Sequence, residues 1–351
     1  MEKRKRNSET AGAAAQGGTP AGSRKHAAEP QGRRMERGAV APGSAWALVT
    51  GAGSGIGRCY ALRLAALGYR LVIAGDNRAP LEAVAEEIRN ARPAGRKAAA
   101  KEPEAAEGSE VAKKSKVAEG LGVAASADGK ECGNRATAAV TPDVRVIAID
   151  LARVGAAQEL YDRMTAEGIV VDVVINNAGI FSFCDILATP AERIERIILL
   201  HDLTVTQLCR LFAADMVRRG VRGHILNMSS YSLWMPFPGL ALYSASKAYM
   251  RSFSVAFAKE VRERGIRVTA LCPAGVATDL YGLTPYWQRI GCKLGVLITP
   301  DSCARRGLKA LWRGRRCIVP DWWNRAWIPF CKVLPMWVLR PVRRFTMKFQ
   351  K

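Results

Sequence analysis

The chain has 351 residues, 49% of them hydrophobic and 24% charged, enough for one domain of about 250 residues with extra segments; a peptide-sized or fully disordered protein is excluded. Its 53 Lys and Arg against 31 Asp and Glu give a formal charge of +22, and most of the surplus sits at the two ends: nine basic against four acidic residues in 1–43, thirteen against two in 301–351. Such a surplus suits nucleic acid, anionic lipid or an acidic partner, and composition does not choose among them.

Residues 1–43 hold no Phe, Tyr, Leu or Ile, so they cannot bury enough apolar area to offset chain entropy and read as a disordered basic tail. Its Lys3-Arg4-Lys5-Arg6 cluster is either solvated or a localisation or anion-binding signal. From Trp46 the texture changes. Residues 47–50 read as a buried strand, 58–67 as a helix, 71–74 as a strand and 80–91 as a helix. Residues 93–142, without an aromatic, read as a low-complexity insertion. The alternation then resumes with strand 144–149, helix 154–167, strand 170–175 and a long helix over 191–218. Strand 224–228, helix 241–264, strand 267–271, helix 300–312 and strand 317–319 follow. This predicts an α/β fold, a doubly wound Rossmann-type parallel sheet of about seven strands, over residues 44–320. In the last segment, 321–351, four tryptophans stand among prolines 329, 335 and 341, which predicts only short helical pieces.

The nine cysteines are odd in number and include no CxxC pair, so neither a disulfide framework nor a metal site is expected; they read as reduced, mostly buried thiols. There is no run of eighteen apolar residues, and the first residues are polar, which together predict a cytoplasmic protein, soluble or peripheral at a membrane surface.

Thr50-Gly51-Ala52-Gly53-Ser54-Gly55-Ile56-Gly57 lies between a predicted strand and helix, where glycines admit a pyrophosphate to the backbone and the helix end offers free N–H groups. Asp76 comes nineteen residues after Gly57, where a dinucleotide fold places the residue that reads the adenosine ribose. It can accept both ribose hydroxyls and repel a 2′-phosphate, which favours NAD over NADP. The alternatives are that Asp76 caps the next helix and that Arg78 receives a phosphate.

Further on stand Asn176-Asn177-Ala178-Gly179, Ser229-Ser230, Tyr243-Ser244-Ala245-Ser246-Lys247 and Pro273-Ala274-Gly275-Val276-Ala277-Thr278. In this order and spacing they resemble the classical short-chain dehydrogenase/reductase family over roughly residues 46–319, the insertion omitted. A free tyrosine titrates near 10 and needs a nearby cation to act at neutral pH; Lys247, four residues on, shares its helical face. Ser230 precedes Tyr243 by thirteen residues, the family spacing, and its hydroxyl would hold the substrate oxygen beside Tyr243; Ser229 is the competitor. The resemblance further implies Asp150 and Leu151 near the adenine, Asn177, Ala178 and Gly179 along the cofactor, and Pro273, Val276 and Thr278 at the carboxamide. It also implies an NAD or NADP cofactor and a homo-oligomer. Two departures stand out. His201 occupies the place of a family asparagine that holds a proton-relaying water, and imidazole can itself exchange protons near neutrality. Ala274 replaces the usual glycine, so Gly275 is expected to supply the turn.

Phe181, Phe183, Trp234, Met235, Phe237, Tyr281, Leu283 and Trp287 fall in loops after strand ends, the ligand side of wound sheets, and predict a lipophilic alcohol or ketone substrate. The tryptophans and cations of 321–351 have the makeup of an interfacial anchor for a membrane contact, or of a cover for the domain or a second subunit. Three functions compete. One is an oxidoreductase interconverting a secondary alcohol and a ketone, with Tyr243 as acid/base; another is a weakened dinucleotide-binding scaffold or sensor. The third, nucleic-acid binding, lacks any reading motif beside the charge.

Overall fold

The computed structural model describes residues 43–91, 143–235, 237–278, 280 and 284–332. The expectations for residues 1–42, for the insertion and for the anchor beyond residue 332 lie outside them.

β1 (Trp46–Thr50), buried at every position, leads through the glycine loop into α1 (Gly55–Ala66). β2 (Arg70–Gly75) and α2 (Arg78–Asn90) repeat the unit. β3 (Val144–Ala148), α3 (Ala156–Ala166) and β4 (Val171–Asn176) continue the alternation. The long helix begins as α4 (Ala191–Ile198), widens into a π-helical turn over Leu199–Thr204 and continues as α5 (Val205–Arg218). β5 (His224–Met228), α6 (Ala241–Glu260) and β6 (Arg267–Leu271) follow. Next come the short β7 (Gly275–Val276), α7 (Pro285–Lys293) and β8 (Leu297–Ile298). α8 (Pro300–Trp312), β9 (Cys317–Ile318) and α9 (Trp322–Lys332) complete the order.

Seven strands form one sheet in the order β3-β2-β1-β4-β5-β6-β9, every pairing parallel. Parallel pairing requires crossovers, and the helices that supply them cover both faces, so the inner strands are near-continuous apolar runs. One face packs Leu48, Val72, Val174 and Ile225 with α3, α5 and α6; the other packs Val49, Ile73, Ile175 and Leu226 with α1, α2 and α8. The order reverses between β1 and β4, and the loops beyond those strand ends border the crevice where wound sheets bind ligands.

The predicted strands and the six predicted helices occur within a few residues of their expected limits. Among the features not predicted are α7, the separate β7–β8 pair, the π turn and the short helical turns over Ile186–Ala188 and Tyr231–Trp234. α9 runs 11 residues with Pro329 inside it. The helix Ala191–Arg218 is long and apolar enough to cross a membrane, with 50% of its apolar window buried inside the domain, as a core-lining helix requires. Among the described cysteines only Cys209, Cys272 and Cys303 are buried; Cys59, Cys184, Cys292 and Cys317 are half-buried, more open than expected.

His224 opens β5 and packs edge-on against the Trp312 indole, centroids 4.6 Å apart. Burial, and then the Arg267 cation, push its pKa down to about 4. The unfolded chain takes this proton near 6.5, so stability is lost as pH falls from about 6.5 to about 4, by about 3 kcal/mol at the lower end. His224→Gln is expected to remove that share: in urea unfolding, its stability relative to the parent should improve by this amount between pH 7.5 and pH 4. A constant difference would refute the assignment.

Candidate active site

The glycine loop is built by sterics. Gly51 and Gly55 have φ of +63° and +53°, a region where a side chain is strained. At Gly51 a Cβ would also meet Ala178 Cα at 2.7 Å, and at Gly57 it would meet the Gly51 carbonyl oxygen at 2.0 Å. Asn177 ties the loop down, its Nδ2 donating to the carbonyls of Thr50 and Gly51 at 3.1 and 3.0 Å. Thr50 Oγ1 in turn accepts from the amides of Asn177 and Ala178. At the start of α1, Ser54 makes no side-chain cap and no acidic residue occupies the first turn. The positive end of the helix is left to an external anion.

This loop borders a cavity of about 720 Å³ that also takes in Asp76, Asp150, Leu151, Gly179, Ser230, Tyr243, Lys247, Pro273, Val276 and Thr278. Of the residues singled out in the sequence, Gly51, Ser54, Gly55, Ile56, Asn177 and Ala178 line it as well, whereas Thr50, Gly57, His201 and Gly275 stand behind its wall. Gly275 does not supply the expected turn. It lies in β7 opposite Leu297, where a Cβ would fall 2.3 Å from Leu297 Cδ2, so its smallness admits β8.

Tyr243 and Lys247, one turn apart on α6, are both buried. The Lys247 ammonium sits 5.6 Å from the Tyr243 ring centroid and donates to the Met228 carbonyl at 3.0 Å. Burial pulls its pKa down to about 8, opposed by the Asp202 carboxylate; at neutral pH it is an ammonium. Phe181 meets the Tyr243 ring edge-on at 5.1 Å. The two serines separate by their bonds. Ser229 Oγ donates to the Lys247 carbonyl at 2.7 Å and so anchors α6, while Ser230 Oγ accepts from the Ser232 amide at 3.1 Å, leaving its hydrogen to turn toward the cavity.

His201 is fully buried on the π turn. Its Nε2 accepts from the Ile180 amide at 3.0 Å, which places the ring proton on Nδ1, where it donates to Ser246 Oγ at 2.9 Å. That hydroxyl donates to the Tyr243 carbonyl at 2.9 Å. Burial, then the Lys247 charge, hold the imidazole well below its ordinary pKa. With both nitrogens engaged and the ring neutral, His201 positions the strand-four loop and α6; the proton exchange expected of it has no free nitrogen. Asp202, beside it, was not expected at the site: burial pushes its carboxyl up to about 6, against the pull of Lys247.

At the opposite end, Asn77, not Asp76, caps α2 by accepting from the Ala79 amide. Asp76 is exposed on the cavity rim. The nearby cations are already paired, Arg78 with Glu82 and Arg58 with Glu87. Arg196 grips Asp150 through both oxygens at 2.8 and 3.3 Å and lines the cavity. Sequence reading missed Arg196 because its partner is 46 residues away. Among the expected substrate aromatics, Phe181 and Phe183 stack 6.5 Å apart, Trp234 lies under the Arg251 guanidinium and Trp287 is exposed against Tyr286. Tyr281 and Leu283 lie outside the described residues. Among these residues no group of three His, Cys, Asp or Glu could hold a metal ion.

The fold that carries this site is shared with known proteins. The short chain dehydrogenase family model matches residues 45–119 and 106–288, and the chain belongs to that family of oxidoreductases. It is 31% identical over 238 residues to a probable oxidoreductase, EphD, of Mycobacterium tuberculosis, covering 68% of this chain but 32% of that protein. It is 30% identical over 251 residues to the very-long-chain 3-oxoacyl-CoA reductase of Anas platyrhynchos, covering 70% of this chain and 64% of the relative. The matches thus span about a third of the first relative's length and under two thirds of the second's. Among solved structures, a short-chain dehydrogenase from Sphingobium yanoikuyae in complex with NADPH superposes with a TM-score of 0.59 at 23% identity, over 88% of this chain and 96% of that one. A 7beta-hydroxysteroid dehydrogenase superposes at 0.63 with 19% identity, over 82% and 92%; at these identities the likeness is one of fold.

Proposed function

We propose that the protein interconverts a secondary alcohol and a ketone on a lipophilic substrate, with NAD as the preferred dinucleotide. The observation that carries this reading is the meeting of Ser230, Tyr243 and Lys247 with the glycine loop on one cavity. The residues fit a dinucleotide. The α1 end and the glycine cradle suit a pyrophosphate, Asp76 and Asp150 suit the adenosine half, and Lys247 suits the hydroxyls of the second ribose. When bound, the nicotinamide would supply or take up a hydride.

The chain's own residues do the rest. Ser230 donates to the substrate oxygen and fixes it beside the phenol. Tyr243 gives its proton to that oxygen in reduction and receives it in oxidation, and the Lys247 cation favours the phenolate. Phe181, against the Tyr243 ring, presents an apolar wall to the substrate carbon. The relatives named as very-long-chain 3-oxoacyl-CoA reductase and 17-beta-hydroxysteroid dehydrogenase type 3, the latter 28% identical, support a lipophilic carbonyl substrate.

The test is fluorescence titration of NADH and NADPH onto the purified chain, followed by a screen of lipophilic ketones. NADH is expected to bind at least about tenfold tighter, because the Asp76 carboxylate opposes a 2′-phosphate and the neighbouring arginines are already paired. In Asp76→Ser that gap should close. Tighter NADPH binding by the parent would overturn the cofactor assignment, and tight NADH binding with no turnover across the screen would favour a dinucleotide-binding scaffold.

A further inference from the structure

Two thiols beside the site take no part in the chemistry above. Cys272 directly follows β6 and Cys317 opens β9, the neighbouring edge strand. The register pairs Cys317 with Ala270, and the two-residue period of a strand brings the Cys272 side chain out on the same face. The sulfurs lie 3.9 Å apart, in van der Waals contact. Cys272 is buried and Cys317 half-buried, so Cys317 is the more accessible thiol of the pair.

The surroundings favour a thiolate at Cys317. The Cys272 thiol in contact with it, and then the Arg251 and Arg325 cations, hold its thiol below the ordinary range against the opposing effect of burial. The Arg251 Nε is buried without a hydrogen-bond partner, and its guanidinium lies over the Trp234 ring. On the other side, Leu271, the residue before Cys272, accepts the Ser229 amide at 2.8 Å, and the Ser229 hydroxyl donates to the Lys247 carbonyl. The residue after Cys272, Pro273, accepts the Tyr231 amide at 2.8 Å. Cys272 therefore stands at the root of the loop that carries Val276 and Thr278 to the cavity.

We propose that Cys272 and Cys317 form a thiol–disulfide modification site that takes a low-molecular-weight disulfide as its oxidant. The Cys317 thiolate attacks one sulfur of the small disulfide, forming a mixed disulfide and releasing one small thiolate. Cys272 then loses its proton to that thiolate and attacks Cys317 Sγ, breaking the mixed disulfide and releasing the second small thiolate, which takes a proton from water. The two protein thiols lose two electrons and the small disulfide gains them. Bond formation brings the sulfurs from 3.9 Å to about 2.05 Å. β9, an edge strand held by two residue pairs, is the part free to yield. Closure shifts Cys272, whose amide donates to the Ile318 carbonyl at 2.8 Å, and with it the loop that starts at Pro273, which loosens the nicotinamide end and weakens dinucleotide binding.

The experiment treats the full chain with oxidised glutathione and reads intact mass, non-reducing peptide maps and NADH affinity by fluorescence. Expected are a loss of two hydrogens, a peptide joining Cys272 to Cys317, and NADH binding weakened about fivefold and restored by dithiothreitol. Cys317→Ser, or Cys317→Ala if the serine variant is insoluble, should bind NADH as the parent does and ignore the oxidant. The proposal is overturned by glutathione retained on Cys317 without closure, by a peptide map lacking the 272–317 link, or by equal loss of NADH binding in the Cys317 variants. The affinity arm rests on the dinucleotide reading and the mass arm does not. A reduced parent that binds no NADH yet forms the 272–317 link fails that reading and keeps the dithiol.

Discussion

Tyr243→Phe is expected to leave NADH affinity within about twofold of the parent while turnover of a lipophilic ketone falls by about 10²–10⁴-fold, the span that a positioned proton donor contributes. The substitution removes one oxygen and keeps the ring, so the edge-on contacts with Phe181 and His201 and the helix beneath survive. What is lost is the proton. A serine hydroxyl at Ser230 can orient the substrate oxygen but titrates far too high to protonate it, and Lys247, bonded to the Met228 carbonyl, is held back from it. The pH limb has a defined sign: with Lys247 near 8, the cation that favours the phenolate is present below that pH and is lost above it. Pre-steady-state hydride transfer, followed by NADH absorbance at saturating ketone, separates this loss from slower product release. Turnover within about tenfold of the parent would remove Tyr243 from the acid/base role.

The division between what was legible in the sequence and what was not follows the range of the interactions. The glycine loop, the Tyr243–Lys247 pair and the alternation of strands with helices are local patterns. Gly51, Gly55 and Gly57 are demanded within a single turn, and Tyr243 and Lys247 share a face because they are four residues apart. His201 was located but its bonding was not legible, because its partners Ile180 and Ser246 lie 21 and 45 residues away and only their placement reveals that both ring nitrogens are used. The same distance hid the Arg196–Asp150 pair. Gly275 resembled a turn glycine because its neighbours form a familiar loop motif; the Leu297 side chain that needs its space belongs to β8, a two-residue strand with too short a pattern to predict. α7 begins at Thr284–Pro285, a usable start signal, but its exposed Tyr286 and Trp287 lack the apolar stripe by which a core-facing helix is found. The π turn has no periodic signature at all, since it inserts one residue's worth of slack in an otherwise regular apolar helix.

Gly57→Ala carries the largest expected cost in stability. A Cβ at this position would lie 2.0 Å from the Gly51 carbonyl oxygen, 2.8 Å from the Gly51 carbonyl carbon and 2.5 Å from Asn177 Nδ2. None of these can step aside cheaply. Gly51 is pinned by its own amide, which donates to the Ala74 carbonyl at 2.7 Å, and by the Asn177 bond to its oxygen; Asn177 is pinned by Thr50. The loop must open or α1 must slide from the sheet, where Tyr60, Ala61 and Leu64 are buried. Overpacking of a rigid site costs about 1–3 kcal/mol and more where backbone is the obstacle, so urea unfolding should register about 3 kcal/mol or more, with NADH binding lost in the fraction that folds. Gly53→Ala is the matched control. Its Cβ meets Pro80 Cβ at 3.2 Å, on a ring at the start of α2 that can move by a few tenths of an ångström, and the cost should stay below about 1 kcal/mol. Equal stabilities for the two variants would show that the close approach of α1 to the loop is not what Gly57 provides, and the phosphate cradle would have to be rebuilt from different contacts.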